Sequence, residues 1–155
     1  MNRFPLVLIL LILCLGACNP GHNEFNNFED LPADEGWAYG DTIFFVTDTL
    51  ESVPATGTLE VAVRHNNTYL YRNLWLEISY PGPDSVTRRD TVNLELADVY
   101  GRWHGHGFGA SYQFAAPIGH PVTLAPGSRV GVSHIMRVDT LTGLEQIGIK
   151  FQKTP

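Results

Sequence analysis

Leu59-Glu60-Val61-Ala62-Val63-Arg64, a turn at His65-Asn66-Asn67-Thr68, then Asn73-Leu74-Trp75-Leu76-Glu77-Ile78: this stretch decides the fold. Leu59, Val61 and Val63 alternate with Glu60, Ala62 and Arg64, and Leu74, Leu76 and Ile78 alternate with Asn73, Trp75 and Glu77. Successive side chains of a strand point to opposite faces, so each run turns an apolar face to a core and a more polar face outward. Pro81-Gly82-Pro83-Asp84 is a strong turn, after which Val92, Leu94 and Leu96 carry the same alternation through Val86–Leu96.

The pattern spreads in both directions. Thr42–Thr47 is β-branched and aromatic, and Tyr112–Ile118 reads as a short strand. Val130, Val132, His134, Met136 and Val138 form the longest alternating run, and Leu141-Thr142-Gly143-Leu144 is expected to close a hairpin onto Ile147, Ile149 and Phe151. Phe28–Pro32 reads as one turn of helix ended by its proline. Tyr100–Gly109 holds four glycines without a period, and is expected to be a loop or a bulged segment. No later segment keeps a helical period, and about seven or eight strands at this spacing predict an all-β, antiparallel β-sandwich, with a small barrel as the other possibility.

The N-terminus sets the compartment. After Arg3, residues Phe4–Leu15 are almost wholly apolar, the h-region of a signal peptide and too short for a stable membrane span. Leu15-Gly16-Ala17-Cys18 resembles the bacterial lipobox, in which the cysteine sulfur takes a diacylglycerol and the chain is cut before it. Residues 1–17 are then a removed signal, Cys18 is the lipidation site, residues 18–27 are a tether, and residues 28–155 are a single domain. Several acyl chains buried at about 0.8 kcal/mol per CH₂ would make that attachment permanent. Cys14 leaves with the signal, so the mature chain has no free thiol for a disulfide, a metal or catalysis.

The chain of 155 residues, 44% of them apolar, allows one substantial core. A formal charge of −6 with scattered basic residues excludes an electrostatic footprint for nucleic acid. There is no nucleophile elbow, phosphate loop or zinc-protease helix, and no cofactor or small-molecule substrate is implied. His104 and His106 are a weak candidate pair for a transition metal, which His22, His65, His120 or His134 could complete; polar decoration of a glycine-rich loop is the plainer reading. His134, on the apolar phase of its strand, reads as a core histidine with a satisfied hydrogen bond. Glu60 and Glu77, expected on adjacent strands, could act as acid and base only if registered and partly buried. Trp75 and Trp103, with Gly105, Gly107, Phe108 and Gly109, are interface candidates; Trp75 either anchors a partner or packs under a second layer.

Beyond the lipobox, the chain carries Phe28-x-x-Leu31-Pro32 with Gly36-Trp37, and Arg64-His65-Asn66-Asn67-x-Tyr69 leading into Tyr71-x-Asn73-Leu74. Asp90-Thr91, Leu96-Ala97-Asp98, Gly101-Arg102-Trp103, Gly105-x-Gly107-Phe108-Gly109, His134-Ile135-Met136-Arg137, Leu141-x-Gly143-Leu144 and Ile147-Gly148-Ile149-Lys150 follow in that order. In these pieces, across nearly the whole mature length, the chain resembles the gliding motility lipoprotein GldH family of Bacteroidetes. The resemblance implies a lipoprotein needed for gliding, without catalytic residues, bound to the membrane through Cys18 and to other proteins of the gliding machinery. The expected role is a non-enzymatic accessory or scaffold; a periplasmic glycan-binding sandwich with exposed aromatics is the alternative, and a metallo-enzyme using His104 and His106 the third. Asn19 after Cys18 favours the outer membrane, and the lack of an acidic run favours its periplasmic face. Thr42, Thr49, Ser85, Thr91 and Thr140 each follow an Asp and precede an aliphatic residue, which resembles the O-glycosylation signal of Bacteroidetes; strand starts after turns give the same pattern.

Overall fold

The structure, a computed structural model, describes residues 25–48 and 54–154. Cys18 and Thr49 lie outside the described residues. The described chain is all β: β1 Phe25–Asp30, β2 Trp37–Ala38, β3 Thr42–Val46, β4 Ala55–Asn66, β5 Asn73–Pro81, β6 Thr87–Glu95, β7 His106–Phe108, β8 Ser111–Leu124, β9 Arg129–His134, β10 Thr140–Leu141 and β11 Leu144–Lys153. A five-stranded sheet runs β1-β11-β4-β8-β7, a four-stranded sheet runs β3-β9-β5-β6, and β10-β2 is a two-stranded clasp, every pair antiparallel. The expected sandwich is therefore observed, with about eleven strands rather than seven or eight.

The alternation does what its period requires. Leu59, Val61 and Val63 of β4 and Leu74, Leu76 and Ile78 of β5 are all at 0% exposure, facing one another across the core with Ile147, Ile149 and Phe151. Each such side chain contributes about 1.5–3 kcal/mol by leaving water.

Several expectations are corrected by pairings that sequence distance hides. Phe28–Pro32 is not a helical turn: β1 lies on β11 with Phe28 opposite Gly148. The Phe28 ring covers that glycine so closely that a Cβ there would sit 2.6 Å from it. β1 also takes in Phe25-Asn26-Asn27 from the expected tether. The Val130–Val138 run stops as a strand at His134. No hairpin joins Leu141 to Ile147: β10 pairs with β2 while β11 pairs with β4, and β9 belongs to the opposite sheet. Glu60 and Glu77 lie on β4 and β5, which belong to different sheets, so the two carboxylates are not neighbours on one sheet.

β8 is a strand of 14 residues rather than a short one. Its register against β4 jumps from Thr58↔Pro121 to Glu60↔Pro117, leaving Ile118-Gly119-His120 opposite Leu59. Gly119, at φ 97°, makes that bulge possible, and the bulge re-aims His120 toward β6 of the other sheet.

Candidate functional site

β4 runs from one end of the sandwich to the other, and its two ends differ. At the end where β4 starts, the fully described connections are the turn 81–87 and the turn 125–128; the β3–β4 connection also falls at this end, and its residues 49–53 lie outside the described residues. At the end where it finishes lie the long ones, 31–41, 67–72, 96–105 and 135–143. Most of the scattered motif pieces converge on this loop-rich end; Asp90-Thr91 and Ile147–Lys150 lie in the body of the sheets.

Their centre is His65, the penultimate residue of β4, at 0% exposure. Its ring meets Trp103 edge-on with centroids 4.5 Å apart, stacks on Tyr112 at 5.6 Å and leans on Tyr69 at 5.9 Å. Its Nδ1 donates to the Asn66 carbonyl at 3.3 Å, and Nε2 has no partner among the described residues. Burial therefore pushes its pKa down, because the imidazolium would bring a second N–H with nothing to accept it. The Trp103 indole N–H donates to Asn67 Oδ1 at 3.0 Å, pinning the glycine-rich loop to the β4–β5 turn. The Tyr69 hydroxyl donates to the Asn73 carbonyl at 2.9 Å, and Asn66 N–H donates to the Gly143 carbonyl at 2.9 Å. Gly143 has φ 80°, and a Cβ there would meet the Tyr69 backbone nitrogen at 2.4 Å. Three loops distant in sequence are thus locked together by motif residues.

The glycine-rich segment is a loop that ends in a short edge strand. Trp103 makes an isolated bridge with Ala97, and β7 pairs with the start of β8 through a turn at Gly109-Ala110. Gly105, at φ 86°, lies so close to β8 that a Cβ would stand 2.1 Å from the Gln113 carbonyl oxygen. Gly107 and Gly109 are exposed; Phe108 is in β7, but its side chain lies outside what the structure describes. His104 Nδ1 donates to the Glu95 carbonyl at 2.9 Å, while His106 lines a trough on the outer face of the five-stranded sheet. Among the described residues no three His, Cys, Asp or Glu are grouped to hold a metal.

That trough, of about 550 Å³, is open. Arg64 donates to Gln113 Oε1 at 3.1 Å and Ser111 to Glu145 Oε1 at 3.0 Å, so these four lining side chains are tied in pairs. Trp75 stands on the outer face of the opposite sheet, 42% exposed, beside Ile135, whose N–H donates to the Trp75 carbonyl. Trp103 packs on His65 at the loop-rich end, so no single face carries both tryptophans. Ser85, Thr91 and Thr140 are exposed and Thr42 is half-buried. His134 is buried as expected, donating from Nε2 to the Trp37 carbonyl at 3.1 Å; its Nδ1 has no partner among the described residues, and burial lowers its pKa.

Sequence reasoning missed one polar constellation. His120 Nε2 lies 3.0 Å from Asp90 Oδ1, His120 Nδ1 lies 3.1 Å from the Pro121 carbonyl, and the Tyr80 hydroxyl donates to Asp90 Oδ2. Both neighbours of the ring are acceptors, so the imidazolium satisfies both and the hydrogen bond to Asp90 raises the His120 pKa. The ring clamps the two sheets together through these hydrogen bonds. No sequence signal links residues 30 positions apart on strands of different sheets.

Residues 23–151 match the family model described as GldH lipoprotein. The chain is 25% identical over 103 residues to the "Gliding motility lipoprotein GldH homolog" of Christiangramia forsetii, a match covering 66% of this chain and 60% of the relative's length. It is 22% identical over 154 residues to the "Gliding motility lipoprotein GldH" of Flavobacterium johnsoniae, covering 95% of this chain and 94% of that one. Among solved structures, the VP2 subviral particle of infectious bursal disease virus aligns with 83% of this chain and 32% of its own at 12% identity and a TM-score of 0.30, a likeness too slight to carry any argument.

Proposed function

This chain belongs to the GldH lipoprotein family, and on that premise we propose that it is a gliding-motility lipoprotein, anchored in the cell envelope by a lipid on Cys18. Within the envelope it sits in the outer membrane facing the periplasm, and it works as a non-enzymatic accessory or scaffold component of the gliding machinery.

One observation supports the scaffold role above others. Most of the motif pieces that carry the family resemblance meet at one loop-rich end, and there they bind each other, while Asp90-Thr91 and Ile147–Lys150 lie within the sheets. His65 is enclosed by Tyr69, Trp103 and Tyr112, Asn67 holds Trp103, and Asn66 holds Gly143. Side chains arranged to set the shape of a protein surface suit docking to another protein. The test is single-cell speed on glass in a strain deleted for this gene and carrying either the wild-type gene or Cys18→Ala. Deletion is expected to stop movement, and only the wild type to restore it. Deleted cells that still glide would remove the assignment.

A further inference from the structure

Nine large apolar side chains are exposed among the described residues, and they are not evenly spread. Tyr39, Leu70, Trp75, Val99, Tyr100 and Ile135 lie at or next to the loop-rich end. Leu70, Val99 and Tyr100 are the most exposed, at 78%, 71% and 83%. The segments bearing them adjoin, because Leu96 and Ala97 N–H both donate to the Arg72 carbonyl. An apolar cluster on a lipid-anchored protein could face the bilayer or a protein, and the geometry of attachment separates the two.

β1 enters the five-stranded sheet at Phe25, opposite Phe151, which is opposite Leu59. From that level, β1 and β4 both run toward the loop-rich end, and Asn66 stands seven residues beyond Leu59. At ~3.3 Å per residue that is roughly 23 Å, with the loops projecting further. Seven peptide steps separate Cys18 from Phe25. They span about 25 Å when fully drawn out and about 15 Å as a flexible chain. Laying the loop-rich end on the bilayer would lift Phe25 to the limit of its tether and require the chain to enter β1 from the wrong side. With the short-turn end toward the membrane, the tether has slack.

The geometry points to the loop-rich end as a docking surface held away from the bilayer, and to its occupant as a partner protein with an apolar surface rimmed by basic side chains. The rim follows from charge. Asp34, Glu35, Asp41 and Asp139 surround the β2–β10 clasp, where Arg137 is the basic residue of those flanking segments. Asp98 is already satisfied by Arg102 at 2.7 Å. This inference rests on the lipid-anchored scaffold reading above and adds the orientation, the surface and the partner's chemistry.

The test has two arms. In the first, full-length lipidated protein carrying one fluorophore, at Val86→Cys in the short-turn end or at Tyr100→Cys, is reconstituted in phosphatidylethanolamine–phosphatidylglycerol vesicles with a headgroup-bound nitroxide quencher. The Val86 probe is expected to be quenched several-fold more than the Tyr100 probe; equal or reversed quenching overturns the orientation, whatever the gliding result. In the second, Leu70→Asp with Tyr100→Asp, and separately Asp34→Lys with Glu35→Lys, replace the gene in the gliding strain, with Val86→Asp as control. With membrane level and melting temperature unchanged, both pairs are expected to lose gliding and the control to keep it. Wild-type speed in either pair overturns the docking surface. A dimer that Tyr100→Asp dissolves in sedimentation would also overturn the proposal, by making a second copy of this chain the occupant.

Discussion

Gly105→Ala probes how the glycine-rich loop is held, and the structure gives its size. Two costs add. The φ of 86° is one that L side chains rarely adopt, which costs about 1–2 kcal/mol. The new methyl would stand 2.1 Å from the Gln113 carbonyl oxygen, and forcing a strand backbone aside costs about 1–3 kcal/mol. The sum, ~2–5 kcal/mol, is a large part of the ~5–15 kcal/mol that holds such a domain folded. Gly101→Ala and Gly109→Ala separate the terms, since both glycines have positive φ, 78° and 65°, with nothing within 4 Å of the added carbon. Each should cost only the conformational ~1–2 kcal/mol. In urea, with m near ~2 kcal/mol/M, Gly105→Ala should lower the midpoint by ~1–2.5 M and the controls by ~0.5–1 M. If β7 peels away instead of the domain unfolding, the amides of His106–Phe108 lose hydrogen-exchange protection while the midpoint moves little. A Gly105→Ala protein with the midpoint of Gly101→Ala and intact protection refutes the packing of this loop on β8.

Other consequences are as direct. Leu76→Ala, at a fully buried position facing β4, should cost ~2–5 kcal/mol in urea unfolding; a cost under ~1 kcal/mol would contradict the shared core. Burial lowers the pKa of His65 and of His134, so the unfolded chain binds more protons below about pH 6.5 and stability falls as pH drops through that value. His65→Phe, which keeps an aromatic ring against Trp103 and Tyr112, should flatten this slope between pH 7 and 5; an unchanged slope removes His65 as its source. His120 has the opposite sign: its raised pKa means its contribution is complete below about pH 6.5 and lost as pH rises through the higher folded value. The side chain is half exposed, so His120→Gln should cost no more than ~1 kcal/mol at pH 6 and less at pH 9, read as the gap between the two urea midpoints at each pH.

The amino-acid sequence by itself determined that the chain is all β and which side chains make the core. That information is local: strand geometry sends alternate residues to opposite faces, and Leu59–Val63 and Leu74–Ile78 announce their buried face without any partner. It also carried the lipobox-like Leu15-Gly16-Ala17-Cys18 and the ordered motif pieces of the family, because these are properties of chain order. It could not say which strands pair. Alternation is the same whether Ile147 and Ile149 lie beside Val132 or beside Val61 and Val63, and only the closing of two sheets over one core chose the latter. The same choice parted Glu60 from Glu77 and separated Trp75 from Trp103. It also drew Asn66, Asn67, Trp103 and Gly143 into one hydrogen-bonded end. The clamp of His120, Asp90 and Tyr80 exists because a bulge in β8 swings one residue across to the facing sheet. Contacts of that kind depend on where distant segments are brought in space, which no local period in the chain encodes.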